Sequence, residues 1–166
     1  MKKILIAAVM LMAVMTAGCT AKQAEVKEPE VNLNITVEAL SEEEYADTST
    51  DGIEIPVIED FAKVTVELNM NNMVPGTERT VKMTALKNIM AETGVGTHWY
   101  SSGSSSNNAE DDFSTFKAVN VIFRRDVTDE ELKNMFEGYN AVVTYTGADG
   151  VTVEETLAFI VAVQFK

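Results

Sequence analysis

Val31, Leu33, Ile35, Val37 and Ala39 alternate strictly with Asn32, Asn34, Thr36 and Glu38. A period of two carried by β-branched residues predicts a half-buried strand, so a folded domain begins near residue 30. KVTVELNM repeats the alternation with Val64, Val66, Leu68 and Met70 on one face, and the following NNMVPGTE has the Asn, Pro and Gly chemistry of a turn. RTVKMTALKNIMAETG fits two periods. Val81, Met83 and Ala85 suit a strand and Leu86, Ile89 and Met90 suit one helical face; the expectation is a strand from about residue 79 to at least 87. FSTFKAVNVIFRR predicts a strand with Val119, Val121 and Phe123 inward and Asn120 outward. YNAVVTYT and VTVEETLAFIVAVQF read as a hairpin closed by GADG, where Gly147 to Gly150 supplies positive φ angles. Along its second arm Val151, Val153, Leu157, Phe159, Val161, Val163 and Phe165 share one face.

One helix is predicted with a mechanism for both ends. In TDEELKNMFEG, Thr128 is the N-cap, Glu131 its capping-box partner, Leu132, Met135 and Phe136 the apolar face, and Gly138 the terminator. Ser41 and Glu44 have the same spacing, but SEEEYADTSTDG runs on into turn residues and reads as a loop. GTHWYSSGSSSNNAEDDF reads as a flexible Gly/Ser/Asn loop after a His-Trp-Tyr triplet. About seven strands with one short connecting helix and no βαβ alternation predict an all-β fold, an antiparallel β-sandwich. The strand spacing is similar to that of an immunoglobulin-like domain, although the paired cysteines are absent. LKNMFEGY resembles the turn leading into a tyrosine corner, with Tyr139 as the tyrosine.

The N-terminal end has a different logic. Lys2 and Lys3 precede an apolar run, Ile4 to Met15, which ends in the small residues Thr16, Ala17 and Gly18 before Cys19. This is the layout of a secretory signal peptide, and the run is shorter than the roughly 20 residues that span a bilayer. TAGC resembles the lipobox of bacterial lipoproteins. The resemblance implies that residues 1–18 are removed and that Cys19, the only cysteine in the chain, becomes a diacylated first residue. Two acyl chains anchor where one dissociates. The implied location is the extracytoplasmic face of the cell membrane, with residues 19–29 as an acidic tether and 30–166 as a monomeric folded domain whose core starts near residue 61.

Charge narrows the partners. The formal net charge is −13, and residues 20–60 carry 2 basic against 12 acidic side chains. Nucleic acid needs clustered Lys and Arg that this chain lacks. DTSTDGIEIPVIE begins like a calcium loop with Asp47, Ser49, Asp51 and Gly52, but Ile58 stands where the bidentate glutamate belongs and Glu59 falls one residue late. No metal or cofactor is expected. With one histidine, His98, and no nucleophile motif, catalysis has little to stand on; Glu110, Asp111, Asp112, Glu154 and Glu155 read as solvated carboxylates.

Recognition is the remaining chemistry. His98, Trp99 and Tyr100 beside an adaptable polar tract suit stacking on a cell-wall glycan or capture of a protein segment. Against this, a lone Trp in a domain of this size is usually core. The sequence thus leads to a lipid-anchored envelope protein that binds or supports without catalysis. The rival readings are an envelope enzyme or accessory subunit using residues 98–112 and an extracytoplasmic ligand sensor.

Overall fold

The computed structural model describes residues 27–166. The signal peptide, Cys19 and most of the tether lie outside the described residues. Glu30–Glu38 (β1) and Phe61–Asn71 (β2) pair antiparallel over nine registered positions, from Glu30 opposite Asn71 to Glu38 opposite Lys63. The predicted alternation is realised on β2, where Val64, Val66, Leu68 and Met70 are all buried, and on β1, where Ile35 and Val37 are. β1 ends at Glu38, so Ala39 is exposed and Leu40 turns inward.

Two antiparallel-rich sheets enclose the core. Thr97–Ser106 (β4), Ser114–Phe123 (β5), β2, β1 and Val163–Phe165 (β8) form a five-stranded sheet in that order. Thr80–Met83 (β3), Asn140–Thr146 (β6) and Thr152–Ala158 (β7) form a three-stranded one. Ala141, Val143 and Tyr145 of β6 meet the inward residues of β2 and β1, and Phe136 and Phe159 fill one end with ring centroids 6.1 Å apart. Among the described residues every pairing is antiparallel except β1 with β8. Among the described residues no helix is long and apolar enough to cross a membrane.

Helices are more numerous than the single one expected. Thr128 and Glu131 do form the reciprocal capping box of Asp129–Asn134 (α3), and Leu132, Met135 and Phe136 are buried. Ser41 and Glu44 form a second capping box, so Glu42–Ala46 (α1) is helical and not a loop. Leu86–Thr93 (α2) takes the residues expected to prolong β3, because burying Leu86, Ile89 and Met90 on one face requires the helical period. Phe159–Ala162 (α4) breaks the long final strand. That helical turn transfers the chain from one sheet to the other, so Val161 is exposed while Phe159 and Val163 stay buried; Val151, in the hairpin turn before β7, and Phe165 are exposed as well. The hairpin turn before β7 forms where expected, but only Gly150 takes a positive φ, +80°; Gly147 does not.

Three further expectations are corrected. Residues 97–106 are a strand, because a full backbone ladder with β5 compensates for serine's poor strand preference. In β5 the parity is reversed: Asn120 and Ile122 face the core, and Val119, Val121 and Phe123 lie half-buried on the outer face. Tyr139 makes no tyrosine corner, since its hydroxyl donates to Glu92 Oε2 at 2.6 Å and not to upstream backbone.

Phe159 is buried against Phe136 from its helical turn, so Phe159→Ala is expected to cost about 3–5 kcal/mol in chemical denaturation. A loss below about 1 kcal/mol would mean that this end of the core is not packed as described.

Candidate functional site

The His98-Trp99-Tyr100 triplet is divided by a β-bulge. His98 pairs with Ile122 and Tyr100 with Val121, so Trp99 is an extra residue with no partner on β5. Neighbouring side chains on a regular strand point to opposite faces; an inserted residue resets that alternation. Trp99 and Tyr100 therefore both lie toward the outer face of the five-stranded sheet, and His98 lies toward the inner one with Ile122.

An aromatic cluster fixes Trp99. Phe61 and Phe123 are opposite one another on β2 and β5, with ring centroids 5.4 Å apart. Trp99 meets Phe61 nearly edge-on at 6.1 Å and Phe123 at 6.4 Å, and Tyr45 from α1 meets Phe61 at 5.7 Å. The indole N–H donates to the Ser49 carbonyl. Trp99 is half-buried, so it serves the packing and still presents part of its surface; Tyr100 is 59% exposed.

The connection between β1 and β2 completes the groove. Glu44 of α1 accepts from Lys63 Nζ at 2.6 Å, which also lies 3.2 Å from Glu38, and it closes the capping box through the Ser41 N–H at 2.8 Å. The Lys63 hydrogen bond, followed by that of Ser41, lowers the Glu44 carboxyl to about 2. Farther along, Arg125 donates Nε and Nη2 to the two oxygens of Asp60 at 3.0 and 2.6 Å, donates to the Glu54 and Ile55 carbonyls, and lies over the Phe123 ring. The Arg125 guanidinium holds the Asp60 carboxyl below its usual range. With both ends fastened, Asp47, Thr48 and Ser49 are held against Trp99 and Tyr100 around a groove of about 460 Å³.

This arrangement offers aromatic surface, an acceptor carboxylate at Asp47, and two hydroxyls that act only as acceptors, since Thr48 Oγ1 donates to the Glu44 carbonyl at 2.7 Å and Ser49 Oγ to Asp51 Oδ2 at 3.3 Å. Such a set suits a polyol whose C–H face stacks and whose hydroxyls donate. Asp47 and Ser49, from the stretch whose calcium-loop register fails at Ile58, are thus part of the groove wall; among the described residues no three His, Cys, Asp or Glu side chains converge as metal ligands. A larger hollow of about 610 Å³ lies near Arg124 and Arg125, but those guanidinium groups are paired with Asp129 and Asp60.

The other residues singled out by sequence stand apart. His98 lines a separate cavity with Asn120, and its buried Nε2 finds no partner among the described residues. Glu110, Asp111 and Asp112 lie in the turn beyond the far end of β4, where Arg79, only 6% exposed, donates Nη2 to the Asn108 and Asp111 carbonyls. Sequence reasoning passed over Arg79, Lys63, Arg125 and the role of Ser49. Only the Ser41–Glu44 capping spacing hinted that residues 41–49 were ordered. Comparison with protein-family models, curated proteins and solved structures finds no match to this chain.

The Glu44 carboxyl lies below its ordinary 4.5 in the folded state, so its contribution is complete above pH 4.5 and is lost as pH falls toward about 2. Because α1 leads into the groove wall, fluorescence of Trp99, the sole Trp, is expected to change across that window. Glu44→Gln should show the shifted emission already at neutral pH and a much smaller acid step. An unaltered Trp99 signal in the variant would separate α1 from the groove.

Proposed function

We infer that this protein is held at the extracytoplasmic face of the cell membrane through lipid on Cys19, and that its β domain binds a neutral glycan of the envelope without catalysis. The observation that carries the binding reading is the bulge at Trp99, which brings Trp99 and Tyr100 together beside Asp47, Thr48 and Ser49. Rigid aromatic surface with adjacent hydroxyl and carboxylate acceptors suits a sugar better than an apolar ligand. The net charge of −13 disfavours an anionic glycan.

An immunoglobulin-like character fits the strand order. Strands β4, β5, β2 and β1 in one sheet against β3, β6 and β7 in the other follow the constant-type arrangement, with β8 added beside β1. That architecture suits a tethered module that presents a surface away from the membrane. An enzymatic role for residues 98–112 gains nothing from the separation of His98 from the acidic turn.

Two arms test the reading. Wild type is expected to co-sediment with purified cell-wall sacculi, and Tyr100→Ala to stay in the supernatant with stability changed by less than about 0.5 kcal/mol, as for an exposed side chain. Equal sedimentation of the two proteins would contradict the glycan site. Cys19→Ser is expected to move the protein from the membrane to the soluble fraction or leave it unprocessed, and a processed variant still on the membrane would contradict the anchor.

A further inference from the structure

Among the described residues the two sheets present four edges, and three of them are blunted. β8 has three residues, β3 has four including Lys82, and β7 carries Glu154 and Glu155. β4 is the exception: ten residues, no charged side chain and no proline. Long uncharged edges expose unpaired backbone donors and acceptors, and natural proteins normally shorten, charge or cover them. Its occurrence in a chain otherwise rich in carboxylates calls for a reason.

The inner side of this edge opens on a cavity. About 430 Å³ lies between β4–β5 and the link from β3 to α2, a size within the range of recognition pockets. Its apolar walls include Val66, Leu86 and Ala118. Asn120, 5% exposed, uses its amide donor on the Val64 carbonyl, and the buried Nε2 of His98 has no partner among the described residues. A second hollow of about 310 Å³ continues past Gly103 toward Phe116 and Met83. Gly103 borders both; a Cβ there would lie 3.0 Å from the Lys117 carbonyl, so the wall between them stays bare. Among the described residues, Lys87 is the only charged one lining the larger hollow.

We propose that β4 and this cleft accept an extended segment of a partner polypeptide by strand addition, with a bulky apolar side chain in the hollow and a carboxylate two residues away toward Lys87. Backbone pairing supplies affinity in such complexes and side-chain pockets supply selectivity. The open edge meets the first requirement; the apolar cavity and the lone cation meet the second. A second copy of this chain fits poorly, because its own β4 would offer Ser101, Gly103 and Ser105 to a cavity they cannot fill, and each copy brings a net charge of −13. The surface uses the inner face and free edge of β4, so it stands independently of the glycan groove on the outer face.

The test starts from a random twelve-residue phage-displayed peptide library selected on the purified protein. Enriched peptides are expected to share an apolar residue and an acidic one two positions apart, and to shift the amide resonances of Ser101–Ser106. N-methylation along a synthetic consensus peptide should abolish binding at every second residue only. Ser101→Trp, at an exposed position lining the hollow, and Lys87→Glu should each weaken that peptide at least tenfold while sedimentation with sacculi is retained. The proposal is overturned if no sequence is enriched, if N-methylation shows no alternation, if both variants bind normally, or if the resonance shifts fall on Trp99 and Tyr100 instead. Concentration-dependent dimerisation through β4 would also overturn it, in favour of a second copy.

Discussion

β2 is hydrogen-bonded on both sides along nearly its whole length, and the rest of the molecule is arranged around what its two faces bury. The inward row from Val64 to Met70 gathers β1, β5 and the three-stranded sheet into one core. At its first residue the outward face carries Phe61, 2% exposed, which needs cover of its own. Phe123 supplies part of it, and Tyr45 and Trp99 the rest, so a strand central to stability also dictates where the β1–β2 connection and the bulge must sit. The candidate groove is therefore a consequence of packing, built where a second small cluster of aromatics meets solvent.

The electrostatics follow the same geometry. In a chain with twice as many acidic as basic side chains, Lys63 and Arg125 are each spent on holding the β1–β2 connection to the sheet. Pairs as exposed as Lys63–Glu44 stabilise little by themselves, but they select one placement for a segment that would otherwise be held by few apolar contacts. Asp47 lies at the groove and takes no part in that fastening.

How much of this was legible in sequence depended on whether a residue's fate was set locally. β1, β2 and α3 were read from alternation and capping because each has one buried face and local termination signals. α1 carries the same capping signal, but the turn residues that follow it point to a loop. β5 misled because its outer face is itself half-covered, so Val119, Val121 and Phe123 looked like the core side while Ile122 and Asn120 were. β4 was not readable: a serine-rich strand exists only through its ladder with β5, which the sequence does not display. Nor does a run of β-branched and aromatic residues announce that Phe159–Ala162 will turn and change sheets. For the site, Trp99 and Tyr100 were visible as aromatics, but their shared face depends on a bulge and their neighbours come from 50 residues away in the case of Ser49.

The state of β4 underlies both the groove and the open edge, and residue-resolved hydrogen exchange over Thr97–Ser106 tests it most directly. Amides bonded to β5 should exchange slowly and those turned to the free edge quickly, in an alternation interrupted at Trp99. Uniformly fast exchange would make the segment a loop and contradict the account; uniformly slow exchange would mean that the edge is already covered.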